Sequence, residues 1–193
     1  GNVMELVLDH ISKAYGGQVV LRDVTFTVGS GVTCLMAPSG AGKTTLLRIL
    51  LGLERPDSGT VRDLEGRRLS AVFQEDRLLE QRDWRGNLRF ALGGVFDEEA
   101  ALALLGELGL SDTGVQPVGE WSGGMKRRLA LARALLAPFD ALILDEPFTG
   151  LDGDNRRRAA GCILERTALR PVLLVTHDEA DAEALSARVI HLN

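Results

Sequence analysis

The sequence predicts an α/β fold: a mostly parallel β-sheet with flanking helices, an N-terminal antiparallel β subdomain and an inserted α-helical subdomain. Short strand-like segments with alternating apolar residues begin the chain, and strands alternate with helices towards its end. Between these two parts the apolar spacing is helical. We therefore expect one domain over residues 1–193, with the core and β subdomain in 1–74 and 138–193 and the helical subdomain in 75–137.

The elements before the helical region are predicted from apolar alternation with period two, with glycine-rich turns between the strands. A short apolar run then leads into a glycine-rich loop, and a helix that follows the loop ends near a glycine. The expected strands are 3–8, 24–28 and 32–36, followed by a helix at 44–51, a turn at 56–59 and a strand pair near 60–64 and 69–73.

The later helices are predicted from capping residues, because Asp97 precedes one apolar-periodic run and Ser122 precedes another. These helices are expected at 100–108 and from Ser122 to Leu136. Since strands and helices then alternate, we expect a parallel sheet with helices on both faces. The remaining expected elements are strands at 141–144, 172–176 and 188–192 and helices near 155–167 and after Asp178.

The composition is that of one soluble globular domain, with 193 residues of which 45% are hydrophobic and 25% charged. The net charge of −5 argues against a dominant surface for nucleic acid or anionic lipid. The two cysteines, Cys34 and Cys162, make no disulfide framework. No apolar stretch approaches the roughly 20 residues of a membrane-spanning helix, so we expect a soluble, cytoplasmic chain that reaches a membrane only through a partner.

A glycine-rich loop follows the third strand, with the sequence Ala37-Pro38-Ser39-Gly40-Ala41-Gly42-Lys43-Thr44-Thr45. Gly40 and Gly42 allow successive backbone N–H groups to point at phosphate oxygens. Lys43 places a charge near the β- and γ-phosphates, and the Thr44 hydroxyl suits Mg²⁺. Ala37 stands where this motif usually has its first glycine, and its small methyl group should leave the loop intact. The strand–loop–helix context favours a phosphate-binding loop over a glycine-rich turn without a ligand.

A second motif is a buried strand that ends in two adjacent carboxylates, Asp145 and Glu146. Removing two carboxylates from water is costly unless a cation or hydrogen-bond donors meet them. Asp145 would complete a Mg²⁺ coordination shell, and Glu146 could polarise a water that attacks the γ-phosphate. The alternative is a strand end that simply carries surface acids.

The third motif is Trp121-Ser122-Gly123-Gly124-Met125, which opens a basic amphipathic helix. A solitary Ser-Gly-Gly is more often a plain N-cap followed by glycines that weaken the helix. Two consecutive glycines are hard to justify for stability alone, however, and this favours close approach of a ligand. Two separate phosphate-binding surfaces in one chain suggest that nucleotide is held between two copies of it. The following run Lys126-Arg127-Arg128 is interpreted as a solvated basic face in preference to a cluster that holds phosphate charge.

The order of these motifs resembles the ATP-binding cassette (ABC) family, the ATPase subunits of ABC transporters. The resemblance extends from Tyr15 to about His177. It implies a P-loop NTPase core, ATP and Mg²⁺ as ligands, and a head-to-tail dimer with two ATP molecules at the interface. The motifs that carry it are the phosphate loop, Gln74, Ser-Gly-Gly, Asp145-Glu146, Gly150-Leu151-Asp152 and Thr176-His177-Asp178.

The resemblance also implies a role for each motif residue. Tyr15 would stack on adenine, and Ser122, Gly123 and Gly124 would contact the γ-phosphate of ATP held by the opposite subunit. Asp152 would lie in the loop that couples the two sites. His177 and Gln74 would act with Glu146 on the attacking water. The phosphates would be held by Ser39, Gly40, Ala41, Gly42, Lys43, Thr44 and Thr45, and Mg²⁺ by Thr44, Gln74 and Asp145.

Two residues depart from the family's signature, since Trp121 replaces the common leucine and Met125 the common glutamine. The Ser-Gly-Gly core is kept, so contact with the γ-phosphate should survive. The departures leave open how the helix is seated at Trp121.

The implied partners are an integral membrane permease, a second copy of this chain and, for an importer, a substrate-binding protein, at the cytoplasmic face of the membrane. No nucleic acid is expected. Residues 73–79 resemble short uptake-type subunits of nitrate, sulfonate or taurine permeases. In the family the region 74–92 receives a helix of the permease, and Trp84, Asp83 and Arg85 are candidate contacts there. The alternative is that Trp84 is packed in the core of the helical subdomain.

Two other functions are open on sequence grounds. A soluble ABC ATPase that acts on nucleic acid or ribosomes usually carries two cassettes, a long coiled-coil insertion or basic arms, and none is visible. A P-loop kinase of small molecules would explain Gly-Lys-Thr but leaves Ser-Gly-Gly, Asp152 and His177 without a role.

Overall fold

The computed structural model describes residues 4–37, 42–111 and 113–192. The strands are β1 (Leu6–Tyr15), β2 (Gln18–Val28), β3 (Val32–Met36), β4 (Ser58–Arg62), β5 (Leu69–Val72), β6 (Ala141–Asp145), β7 (Val172–Thr176) and β8 (Arg188–His191). The helices are α1 (Lys43–Leu50), α2 (Trp84–Leu92), α3 (Glu98–Glu107), α4 (Gly123–Leu136), α5 (Gly153–Thr167) and α6 (Glu179–Ala184). Within the described ranges, none of these helices combines the length and the apolar character needed to span a bilayer.

The central sheet brings three loops to one edge. Its strand order is β5-β6-β7-β3-β8, and the neighbouring strands run parallel. β7 therefore lies between β3 and β6, and the carboxyl ends of all three strands meet at the same edge. The loops after these strands carry the phosphate loop, Glu146 and His177. Ligands of open α/β sheets bind at this edge, so the topology alone places the motif residues together.

The central sheet is covered on both faces, as its alternating side chains require. Cys34, Leu144 and Leu174 pack with residues of α3, α4 and α5. On the opposite face, Leu35 and Ile143 pack with α1 and with the strands β1 and β2. The three inner strands β3, β6 and β7 are buried along nearly their whole length, which is typical of a parallel sheet covered on both faces. The predicted fold class is confirmed, including helices on both faces.

The second sheet is antiparallel, with order β2-β1-β4. The predicted strand pair at 60–64 and 69–73 is therefore wrong as a pair. β4 lies at the edge of the antiparallel sheet, where its side chains are half exposed, whereas β5 pairs with β6 in the central sheet. Leu69 and Ala71 of β5 are partly buried and pack against the core on one face of the central sheet, where a hairpin with β4 would not place them.

The three helices α2, α3 and α4 all lie between β5 and β6 in sequence. Their starts are capped by side chains, since Asp83 accepts from Gly86 N, Asp97 from Ala100 N and Ser122 from Met125 N. The helices pack on the same core as one face of the central sheet.

Both cysteines are buried in this core, with exposed fractions of 0% for Cys34 and 5% for Cys162. Burial raises the pKa of the Cys34 thiol to about 11, and burial also raises the pKa of Cys162. Both thiols are therefore protonated and unreactive near neutral pH.

Candidate functional site

The loops after β3, β6 and β7 enclose a cleft of about 580 Å³. This volume is within the range of sites that hold small ligands. The cleft is lined by Val20, Gly42, Lys43, Thr44, Thr45, Gln74, Glu146, Thr149 and His177. The predicted phosphate contacts Ser39, Gly40 and Ala41 lie outside the described residues. The remaining loop residues, Gly42 to Thr45, lie together at the cleft as the motif requires.

Gly42 forms the turn from the loop into α1. Its φ is +86°, and a Cβ at this position would lie 2.5 Å from the carbonyl oxygen of Val20. Both the backbone conformation and the close approach therefore require glycine. The first turn of α1 carries no acidic residue, so no side chain of the helix itself neutralises the positive end of its dipole.

Glu146 is the centre of a buried polar network. Its side chain is 6% exposed, and Lys43 Nζ lies 3.4 Å from Oε1. His177 Nδ1 lies 2.9 Å from the same oxygen, while Thr176 Oγ1 lies 3.1 Å from Oε2. A cation, an imidazole and a hydroxyl thus satisfy a carboxylate that would otherwise be costly to bury. The structure brings Lys43, Glu146 and His177 together, as the motifs predicted.

The network changes how His177 titrates. The hydrogen bond from His177 to Glu146, and the charge of that carboxylate, raise the pKa of the imidazole above its ordinary value. The contribution of this contact to the free energy of unfolding is therefore complete at pH values below the pKa of His177 in the unfolded chain. It is lost as the pH rises through the raised pKa of the folded state.

We expect the NMR titration midpoint of His177 to fall when Glu146 is replaced by glutamine, because the carboxylate charge is removed. His10 provides the control, since its pKa is raised by Asp23 instead, at 2.5 Å. An unchanged His177 midpoint in Glu146→Gln, or an equal shift of His10, would show that the contact does not set this pKa.

Oxygen ligands suited to Mg²⁺ line an adjoining cleft, which contains Thr44, Gln74 and Asp145. Burial raises the pKa of the Asp145 carboxyl and the Glu146 charge raises it further, while the Lys43 charge opposes this. A hydroxyl, an amide and a carboxylate are hard oxygen donors and fit Mg²⁺. No group of three His, Cys, Asp or Glu able to hold a metal occurs in the described ranges. Thr44, Gln74 and Asp145 therefore fit a Mg²⁺ ion that takes its other ligands from phosphate and water.

Five of the residues predicted to contact ATP do not line the cleft that contains Lys43 and Glu146. Ser122 and Gly123 are exposed at the tip of α4, and a Cβ on Gly123 would have open space around it. Asp152 caps α5, where its Oδ1 accepts from Asn155 N at 2.8 Å. These three, with Gly124 and Tyr15, are not among the residues that line the cleft. Tyr15 ends β1 and is 45% exposed.

The basic run after the signature is only partly solvated, so its interpretation as a solvated face is wrong for two residues. Arg127 is 3% exposed and Arg128 is 8% exposed. Arg128 donates to the carbonyl oxygens of Gly124 and Leu108, and Arg127 to carbonyls at the site itself. The burial of Arg127 could have been inferred from the helical spacing, because Arg127 lies one turn before the buried Leu131 on the same face of α4.

The two tryptophans of the helical region are core residues. Trp84 is 3% exposed and packs under the Arg85 guanidinium at 4.4 Å, so the packed alternative is correct and Trp84 is not a surface contact. Trp121 is 5% exposed in the same core. Ser122 still caps α4 next to it, so the tryptophan does not displace the helix start.

Comparisons with known proteins show which family the chain resembles. A family model described as "ABC transporter" matches residues 21–149. "Aliphatic sulfonates import ATP-binding protein SsuB 1" of Rhodococcus jostii is 43% identical, over 99% of this chain and 80% of that protein. The protein of the same name from Nocardia farcinica is 42% identical, over 95% of this chain and 76% of its own length.

Two solved structures share the fold over 100% of this chain. An "ATP binding subunit of ABC transporter" superposes with a TM-score of 0.85 at 28% identity, with 86% of that chain covered. An ATP-bound bacterial Atm1-family ABC exporter superposes with a TM-score of 0.84, and this chain spans 37% of its length. Because the identity is only 21%, this likeness supports the fold alone. With the family model matched over most of the sequence and the motif residues gathered at one sheet edge, this chain belongs to the ABC transporter family.

Proposed function

We propose that the chain is the ATPase subunit of an ABC importer, which binds and hydrolyses Mg-ATP between two copies of itself to drive a partner permease. The observation that carries this proposal is the exposed tip of α4. Ser122 and Gly123 are free at the surface, while Lys43 and Glu146 lie in a cleft that the tip does not line. Each site would then be completed by the tip of the other copy.

The residues that line the cleft would have separate roles in ATP hydrolysis. Lys43 and the N-terminus of α1 would bind the β- and γ-phosphates. In the structure Lys43 and His177 both contact Oε1 of Glu146. Phosphate oxygens would compete for these two donors and so free Oε1 to accept a proton from the attacking water. His177 would then donate to the γ-phosphate.

The Mg²⁺ ion would be held by Thr44, Gln74 and Asp145. When bound, it supplies charge neutralisation on the phosphate oxygens. Gln74 lines both clefts and would also orient the water. Tyr15 would contact adenine, and Asp152 would lie at the interface between the two copies.

The permease is proposed to dock over the cleft beside Gln74, on the cytoplasmic face of the membrane. This cleft is bordered by apolar residues, including Leu53, which is 63% exposed. A substrate-binding protein would deliver cargo from the other side. The relatives' names favour aliphatic sulfonates as the first cargo to test, and favour transport over a soluble ATPase. We place the subdomain boundaries at 74/75 and 137/138, near the ends of β5 and α4.

Mixing two inactive variants should restore hydrolysis if the site is shared between copies. Lys43→Met removes the phosphate contact and Ser122→Arg blocks the helix tip, so each pure variant has two broken sites. A mixed dimer has one intact site, and ATP hydrolysis should recover to about a quarter of wild type. The rate of phosphate release is the measurement.

The matched control mixes Lys43→Met with Glu146→Gln. These residues lie 3.4 Å apart in one protomer, so both sites of that mixed dimer remain broken and no recovery is expected. Recovery in the control, or none in the Ser122→Arg mixture, would contradict the shared site.

A further inference from the structure

One guanidinium group connects two loops of the site that are distant in sequence. The side chain of Arg127, on α4, is 4% exposed. Its Nη1 donates to the carbonyl oxygen of Phe73 at 2.5 Å and to Oδ1 of Asp76 at 2.8 Å. Its Nη2 donates to the carbonyl oxygens of Asp145 at 2.8 Å and of Glu146 at 2.5 Å. Arg127 therefore bonds directly to both loops.

The first loop, residues 73–77 (the glutamine loop), carries Gln74 between the two groups that Arg127 contacts. Gln74 lines both clefts of the site. Arg133, further along α4, holds the other end of this loop. It donates to the carbonyl oxygens of Asp76 at 2.6 Å and Arg77 at 3.0 Å. The position of Gln74 is thus set by arginines of α4, and only Arg127 of these two also contacts the end of β6.

The chemistry of arginine suits this double contact. A guanidinium is planar and always charged, and its donors diverge towards two directions at once. Hydrogen bonds from a charged donor are stronger than neutral ones, and burial protects them from water. Three of the four acceptors are backbone carbonyl oxygens. Arg127 therefore holds the main chain of each loop, and with it the side chains of Gln74 and Glu146 that the main chain carries.

We propose that Arg127 is a positioning residue for hydrolysis: it fixes the spacing between Gln74 and Glu146 and transmits displacement of the glutamine loop to Glu146. The inference rests on the proposed function, since it requires both side chains to act on the attacking water. Arg127 itself faces backbone and Asp76, so it acts through its neighbours.

The test begins with the nucleotide-free protein. Arg127→Met keeps an unbranched apolar stem and removes all four hydrogen bonds. Amide hydrogen exchange should become about tenfold faster, or more, in both 73–78 and 145–148. Arg133→Met is the matched control, because it loses two bonds to the glutamine loop and none to β6; its exchange should rise in 73–78 alone.

Kinetics then separate positioning from general destabilisation. At saturating Mg-ATP, the single-turnover rate of Arg127→Met should fall about 10- to 100-fold, because small misplacements of reacting groups are costly. The Kd for ATP should stay within about threefold. In a Gln74→Ala background the same substitution should cost clearly less, since the two residues act as a unit.

Three results with Arg127→Met would overturn the inference: faster exchange in one loop only, an undiminished rate loss in the Gln74→Ala background, or an unchanged rate. If Arg127→Met lacks a cooperative unfolding transition, Arg127→Lys decides, because a single ammonium reaches only one side and should free one loop and slow hydrolysis. An Arg127→Lys enzyme with wild-type exchange and rate would refute the inference. A wild-type chain that does not hydrolyse ATP would refute the proposed function as well.

Discussion

Replacing Glu146 by glutamine is expected to slow ATP hydrolysis by about 10²- to 10⁴-fold, which is the contribution of a general base. Glutamine has the same shape but cannot accept the proton from water. Because Lys43 and the start of α1 remain, ATP binding should persist. The bound nucleotide should then hold two copies together, so size-exclusion chromatography with saturating Mg-ATP should show a stable dimer.

Glu165→Gln is the matched control for this experiment. Glu165 is an exposed residue of α5, and its substitution removes the same charge without touching the site. Its hydrolysis rate and elution should match wild type. Two failures are distinguishable here: hydrolysis within tenfold of wild type would remove Glu146 from the role of base, whereas a monomeric Glu146→Gln protein with bound ATP would contradict the sandwich dimer.

The second large effect concerns stability, at Gly59 in β4. Its φ is +87°, and a Cβ there would lie 2.6 Å from the carbonyl oxygen of Asp9 and closer still to that of His10. The pairing of β4 with β1 is irregular at this point, between Asp9 and Ser12. Gly59→Ala must therefore displace the backbone as well as adopt a left-handed conformation, and the free energy of unfolding should fall by about 3–5 kcal/mol.

Gly66→Ala separates these two contributions. Gly66 has φ +76°, but a Cβ there would have no neighbour within 4 Å. Only the conformational cost applies, so the loss should be about 1–2 kcal/mol. Urea unfolding of both variants gives the comparison. Equal losses would mean that the backbone contact at Gly59 is relieved without cost.

The sequence predicts best where one local rule governs an element. The strands Val32–Met36 and Val172–Thr176 were predicted to the residue, because short apolar runs buried on both faces have clear ends. β1 was predicted too short. Its alternation is interrupted by a bulge where His10 has φ +54°, and such an irregularity breaks the period that the prediction relies on.

Pairing and burial were harder to predict because they depend on distant parts of the chain. β4 and β5 are adjacent in sequence but belong to different sheets. The partners of Arg127 at Phe73 and Asp76 are 54 and 51 residues away, so its burial has no local signature beyond helical spacing. The motif residues were found because their spacing is local. The paired glycines also pointed to a ligand at the helix tip, but its contact with the γ-phosphate of the opposite subunit was specified only by the family resemblance.

The shielding of Cys34 and Cys162 has a practical consequence for studying this protein. Because neither native thiol is available to alkylating reagents in the folded state, a cysteine introduced at an exposed position can be labelled without first removing the others. Spin labels placed on β-subdomain and α4 surfaces would then report inter-protomer separations directly. The proposed association and separation of two copies during turnover could then be followed in a sequence that is otherwise unaltered.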